Sequence, residues 1–340
     1  MWKFILTARV IPVISLGFVI VALLFVFNRS ELIPIRVALP WLHQAQFAGM
    51  YVADEKGYYK DEGISVNLIE RDFNGSRVVD LLGEEKADIA IISPGEFLQA
   101  ANEGRDIVAL AAIFQISPTV IASLEQTGIK SPKDLKGKKV GLAKVNEESK
   151  LLVYALLNNE QIPKDSVTFS EVGYSQVDAL LRGDVDAVYI HRTNELYDLE
   201  GKGVSYSLIF PERFGVDIYR DIIVVRNAYL LKHKEEIGGF LRATFRGWKF
   251  AEENIREATR ITLEVDNPKY HDFAREEYIL KNALMLIRLY PKQTMGQMIP
   301  AHWTYTYELF RRHGLIDDIE LNKFFIHTLV YKELGFPDER

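Results

Sequence analysis

Flat rings, side-chain amides and one acid recur just beyond short apolar runs of this chain, and as a set they fit binding better than catalysis. After Ile35–Leu39 come Trp41, His43, Gln44, Gln46 and Phe47; after Ile89–Ile92 comes Ser93-Pro94-Gly95-Glu96; after Ile107–Ala112 comes Phe114-Gln115. Further on, Gly173-Tyr174-Ser175 follows one run and His191-Arg192-Thr193-Asn194-Glu195 follows another. Aromatic faces favour a flat ligand, and amides with a carboxylate select the N–H groups it carries. Each residue also has a plainer role open to it. Trp41 could cap a core, Ser93 and Asn194 are common helix N-caps, and Glu195 could be a solvated first-turn acid. The argument rests on their joint position, because open α/β sheets bind ligands beyond the carboxyl ends of their strands.

Catalytic and metal-binding signatures are missing. There is no cysteine, so thiolate chemistry, disulfides and Cys-ligated metals are excluded. The glycines of Lys136-Gly137-Lys138-Lys139-Val140-Gly141 have neither P-loop nor dinucleotide spacing, no Gly-x-Ser-x-Gly elbow occurs, and no two of the seven histidines are spaced for zinc on a helix. With 41 basic against 47 acidic side chains the net charge is −6, which gives no electrostatic footprint for nucleic acid. No metal, cofactor or nucleic-acid partner is expected.

The elements that must position these residues alternate in type. Short apolar runs predict strands at Ile35–Leu39, Val66–Glu70, Ile89–Ile92, Ile107–Ala112 and Val120–Ser123. A second series follows at Lys139–Leu142, Val167–Val172, Asp186–Ile190, Ser205–Phe210 and Asp221–Val225, and helical periodicity falls at Phe47–Lys56, Ser76–Leu82, Ser149–Asn158 and Gln176–Leu181. From about residue 232 to residue 334 the chain is helix-rich. Two α/β blocks in series imply mainly parallel sheets in two lobes, with extended crossings near residues 114–124 and 210–222 serving as hinges.

Before the α/β region, Val10–Phe27 carries no charge, flanked by Lys3 and Arg9 on one side and Arg29 on the other. Eighteen helical residues span roughly 27 Å, close to the hydrocarbon thickness of a bilayer. The exit Phe27-Asn28-Arg29 lacks the small residues of a cleavage site, so residues 10–28 are expected to be one uncleaved transmembrane anchor, with 1–9 cytoplasmic. The folded part is then expected outside the cytoplasm on a single-pass protein of the cell inner membrane.

The stretch Trp41–Val66, WLHQAQFAGMYVADEKGYYKDEGISV, resembles the opening of the thiamine-pyrimidine-synthase-like family of substrate-binding proteins, relatives of the aliphatic-sulfonate receptors. Matches continue in order through Ala87–Ala90, Ser93–Glu96, Ile113–Gln115, Ser131–Gly141, Arg182–Ala187, Asn194-Glu195 and Phe214–Tyr219, a run that includes Asp217. The resemblance implies a type II periplasmic-binding-protein fold that closes on its ligand about a hinge. Residues 36–118 and 220–340 would form one lobe and residues 119–219 the other. It further implies that Trp41 stacks on a flat ring covered by Tyr174 or Tyr189, and that Glu195 accepts from its amino group. Asn194, Gln46 and Ser93 would complete the hydrogen bonds, with Phe47, Glu96, Gln115 and Asp217 as further site residues. The implied role is a receptor for a thiamine-pyrimidine-precursor-like ligand serving an ABC transporter, or alternatively a sensor for a signalling partner. The synthases of the family carry an essential histidine and a cysteine-rich motif, whereas this chain has Phe47 near that histidine position and no cysteine.

Overall fold

In the computed structural model the described residues are 31–145, 147–265, 272–287 and 294–324. Segments 1–9 and 10–28 lie outside them. Among the described residues, no helix is long and apolar enough to cross a membrane.

Among those residues ten strands form two five-stranded sheets: β1 (Ile33–Ala38), β2 (Ile64–Ile69), β3 (Ile89–Ile92), β4 (Ile107–Phe114), β5 (Thr119–Leu124), β6 (Lys139–Leu142), β7 (Thr168–Glu171), β8 (Ala187–His191), β9 (Tyr206–Ile209) and β10 (Arg220–Arg226). The first sheet has the order β2-β1-β3-β10-β4 and the second β7-β6-β8-β5-β9. The two orders are the same pattern. In each, the first strand of the block pairs in parallel with its next two, and the fourth position holds an antiparallel strand. That strand is the one that has just crossed from the other sheet.

The sheets are mainly parallel, as expected, with one strand in each running against the rest, and chain geometry supplies the reason for that strand. A segment entering a sheet from its neighbour arrives at the carboxyl ends of the parallel strands, so it must run against them. Thr119 at the head of β5 pairs with His191 at the tail of β8, and Arg220 at the head of β10 pairs with Phe114 at the tail of β4. Both crossing strands thus begin at the strand ends that face the other half of the molecule.

The central strands are buried on both sides, which accounts for their unbroken apolar runs. All eight residues of β4 and all four of β3 are buried. Helices cover the faces: α1 (Ala48–Glu55), α2 (Pro94–Asn102), α3 (Glu195–Gly201), α4 (Lys234–Glu253), α5 (Phe273–Ile287) and α6 (Pro300–Arg312). α2 starts on an N-cap, where the Ser93 hydroxyl accepts the Glu96 N–H at 3.0 Å with Pro94 in the first turn. The stretch read as a helix over Ser76–Leu82 is a single turn at Asp80–Gly83.

Of the described glycines, Gly247 is the most closely approached, and by backbone. A Cβ on Gly247 of α4 would lie 1.9 Å from the Gly49 carbonyl oxygen of α1, and one on Gly49 would lie 2.4 Å from the Trp248 ring. Trp248 is fully buried there. α1 follows directly from the turn Ala45–Phe47, so this helix pair fixes the platform under the loop after β1.

Candidate functional site

The loop after β1, the crossing strand β10 and the carboxyl end of β8 converge on one cavity of about 140 Å³. From the first sheet's half come Trp41 and Gln46, from the second Tyr174, Gln176, Tyr189, His191, Asn194 and Glu195, and at the head of β10 Arg220. Because both crossing strands start here, the cavity is bounded by both halves of the chain.

Three aromatic rings close one side. Trp41 meets Phe73 edge-on with centroids 4.9 Å apart and Tyr174 at 5.2 Å, while Phe73 and Tyr174 are 6.2 Å apart. Tyr174 is 67% exposed and Phe73 46%, so the cluster sits at the mouth and joins the two halves across it. The sandwich implied for Trp41 and Tyr174 is not how the rings lie. They touch edge to face with no slot between them, so a flat ligand would stack on the cavity side of one ring with the other as a rim.

The polar lining has two characters. Gln176 Oε1 and Asn194 Oδ1 are buried with no hydrogen-bond donor among the described residues. Beside them Glu195 uses one oxygen to accept the His191 N–H at 2.9 Å, and burial raises its pKa. Buried acceptors without donors carry a desolvation penalty that a ligand's N–H groups would relieve. Opposite them, Arg220 has Asp221 as its ion-pair partner at a long 3.7 Å. Asp221 is 1% exposed with its backbone in the left-handed region at φ 53°, and its carboxylate accepts the Gln46 amide at 2.6 Å. A non-glycine residue in that region is strained and is held by its surroundings. The Gln46–Asp221 bond thus ties the loop after β1 to the head of β10. His191 is neutral at any ordinary pH, its pKa lowered to about 3 by burial and by the nearby Arg220 and Arg192 cations.

Of the other residues singled out in the sequence, Ser93 lines an adjoining hollow of about 30 Å³ together with Ser117, Tyr189 and Arg220. Four do not reach the cavity. Phe47 is fully buried in the core, because the turn Ala45–Phe47 directs one side chain outward as Gln46 and the next inward. Glu96 ties the preceding loop to α2 by accepting the Val79 N–H at 3.0 Å. Gln115 is 2% exposed and donates to the Ala112 carbonyl at 2.8 Å, within the crossing itself. Asp217 lies in the other crossing, 3.7 Å from His302 of α6.

Sequence reasoning passed over Gln176, Arg220, Asp221, Phe73 and Glu276. Arg220-Asp221 at the start of an apolar strand is the one signal that was available, since charges there mark a strand end. Glu276 of α5 gave none. It lies 231 residues from Ala45, whose N–H its carboxylate accepts at 2.6 Å, and it is 1% exposed with its second oxygen unpartnered among the described residues. Burial pushes its pKa up to about 7. A carboxyl raised in the folded state above its unfolded value near 4.3 contributes stability that is full below the unfolded value and lost as pH rises through about 7. Glu276→Gln is expected to remove that loss, so that urea midpoints measured from pH 5 to pH 8 fall less steeply than in the parent; parallel curves would refute it.

Residues 44–258 match the family described as NMT1/THI5 like, more than half of the chain. The chain belongs to the NMT1/THI5-like family. Among relatives, the riboflavin-binding protein RibY of Chloroflexus aurantiacus is 24% identical over 83% of this chain and 81% of its own length. The formylaminopyrimidine-binding protein of Halalkalibacterium halodurans is 25% identical over 67% of this chain and 69% of its own. The 4-amino-5-hydroxymethyl-2-methylpyrimidine phosphate synthase of Legionella pneumophila is also 25% identical, over 68% and 73%. This NMT1/THI5-like chain superposes on the periplasmic aliphatic sulphonate binding protein SsuA of Escherichia coli with a TM-score of 0.68 at 16% identity, covering 86% of this chain and 96% of that one. The fold is that of the periplasmic binding proteins, two α/β sheets facing a shared cleft.

Proposed function

We propose that this chain is an extracytoplasmic solute receptor, anchored in the cell inner membrane by residues 10–28, that captures a small flat amino-heterocycle of the thiamine-pyrimidine-precursor type for an ABC transporter. One observation supports the ligand class: Gln176 Oε1 and Asn194 Oδ1 are buried without donors among the described residues, and they line one cavity with Trp41 and the Glu195 carboxylate. A ring bearing an exocyclic amino group offers both a stacking face and donors. Hinge closure would bring the two halves of this lining together, driven by ligand contacts to both.

The names of the relatives also offer a synthase reading, and the chain's own residues favour the receptor. Phe47 is a core residue rather than a reacting group, and no cysteine is present. A signalling input domain would use the same cleft and differs only in who responds to its closure.

The test is a thermal-shift screen of the purified chain against aminopyrimidines, flavins and sulfonates. A ligand that binds only the folded form raises its apparent stability in proportion to occupancy. An aminopyrimidine is expected to give the largest shift, and Trp41→Ala to weaken its binding about tenfold, the loss of one aromatic contact with its buried area. A screen in which sulfonates shift the protein and aminopyrimidines do not would replace the ligand class. Unchanged affinity in Trp41→Ala would remove that ring from the site.

A further inference from the structure

Away from the cavity, the two halves also meet through a pair of helices. α5 belongs to the first half: Ile279, Leu280, Ala283, Leu286 and Ile287 are buried in the same core as β4 and α1, and the Leu286 carbonyl accepts the Gln115 N–H at 2.8 Å. α3 belongs to the second half, where Leu196 and Leu199 pack with β5 and β8. Between them the Arg275 guanidinium grips the Asp198 carboxylate with two N–H groups, at 2.5 and 3.4 Å, and lies 5.6 Å from the centre of the Tyr197 ring. One turn on, the Tyr278 ring meets Tyr197 edge-on with centroids 5.2 Å apart, and its hydroxyl donates to the Glu200 carboxylate. None of these side chains lines the cavity. The contact is nevertheless placed to act on it. Asp198 stands three residues after Glu195, on the same side of α3. Burial raises the Glu195 pKa, and the Arg275 cation works against that rise. The next residue of α5, Glu276, accepts the Ala45 N–H at 2.6 Å, beside Gln46. Successive residues of one helix thus hold both walls, Glu276 the loop after β1 and Arg275 the helix that begins with Glu195.

We propose that Arg275 is a positioning residue: its pair with Asp198, backed by Tyr278 on Tyr197, holds the two halves together from outside the cavity, so that a share of the ligand-free molecules is already closed. This rests on the receptor reading above and deepens it, adding to the ligand's own contacts a second source of closure. Because α3 moves with the second half and α5 with the first, opening about the crossings breaks the pair and parts the two tyrosines. Exposure sets the size of the effect. The Arg275 side chain is 20% exposed and that of Asp198 42%, so water and salt screen the pair and hold it to a few-fold change in population. Its forked geometry keeps it from vanishing. Apparent affinity follows the closed share, because a ligand that needs the closed form is held in proportion to how often that form occurs.

The experiment uses the full chain in detergent with spin labels on two introduced cysteines, Lys60→Cys and Lys136→Cys, exposed positions on opposite halves of a chain that has no cysteine of its own. Pulsed dipolar distances without ligand are expected to show a closed population in the parent, and Arg275→Ala to lower the closed-to-open ratio roughly two- to fivefold. Asp198→Asn is expected to do the same, and the two changes together to cost no more than either alone, since each removes one shared contact. High salt should lower the ratio in the parent and leave Arg275→Ala unmoved. A ratio unchanged in both single variants, losses that simply add, or a ligand-free parent with no closed population overturns the assignment. Calorimetry on the unlabelled variants with 4-amino-5-hydroxymethyl-2-methylpyrimidine is expected to show affinity falling by the same factor, and an affinity that stays fixed while the ratio falls overturns the positioning role. If that pyrimidine binds none of the proteins, the amino-heterocycle reading falls, while the label distances still decide the role of Arg275.

Discussion

Glu195→Gln is expected to weaken binding of an amino-heterocycle by about 1–3 kcal/mol, roughly five- to a hundredfold, while the fold is retained. The substitution keeps an oxygen to accept the His191 N–H at 2.9 Å, so the start of α3 need not change. What is lost is the charge on a buried acceptor that lines the cavity beside the Gln176 and Asn194 oxygens, which have no donor among the described residues. A pH profile separates this from a general loss of packing. Burial raises the Glu195 pKa, so affinity that depends on its ionised form should fall as pH drops through a value above the ordinary glutamate range near 4.3. The Gln variant should show a flatter profile. Identical profiles in the two proteins would return Glu195 to the role of a first-turn acid.

Gly247→Ala is expected to destabilise the protein by about 3 kcal/mol, the upper end for overpacking. The added methyl would lie 1.9 Å from the Gly49 carbonyl oxygen, and 3.0 Å from the Ala53 nitrogen, so backbone must move where no side chain can yield. The helices that would separate are α1 and α4, and α1 carries the loop bearing Trp41 and Gln46 at its amino end. Chemical denaturation should show the loss in the midpoint. A midpoint within 0.5 kcal/mol of the parent, roughly the scatter expected of an ordinary surface substitution, would mean that the two helices part more easily than their contact implies.

The strands were legible because burial on both faces writes itself as an unbroken apolar run. Ile89–Ile92 and Lys139–Leu142 coincide with the reading to the residue, and the rest differ by one or two residues at one end or both. Strand direction was not legible, since β5 and β10 read like their parallel neighbours and only the crossings reverse them. The site follows the same division. Trp41, Tyr174, Asn194 and Glu195 stand just past strand ends and reach the cavity, as a rule about strand ends would place them. Phe47 and Gln115 stand just past strand ends too, and a half-turn of backbone sends both inward. Arg220 and Asp221 precede their strand, so a rule about carboxyl ends looks past them, although in an antiparallel strand the head is the end that matters. Glu276 meets Ala45 through tertiary structure alone.

The interleaving of the sheets has a consequence for the order in which the molecule can assemble. Among the described strands β4 pairs only with β10, and β10 also separates it from β3. On a ribosome, the first sheet must therefore wait with a missing inner strand until residue 226 has emerged, while every strand of the second is present by residue 209. The later-made half can finish first, and the earlier-made half holds unpaired edges until its last strand arrives, the state in which nascent chains are most exposed to misassembly.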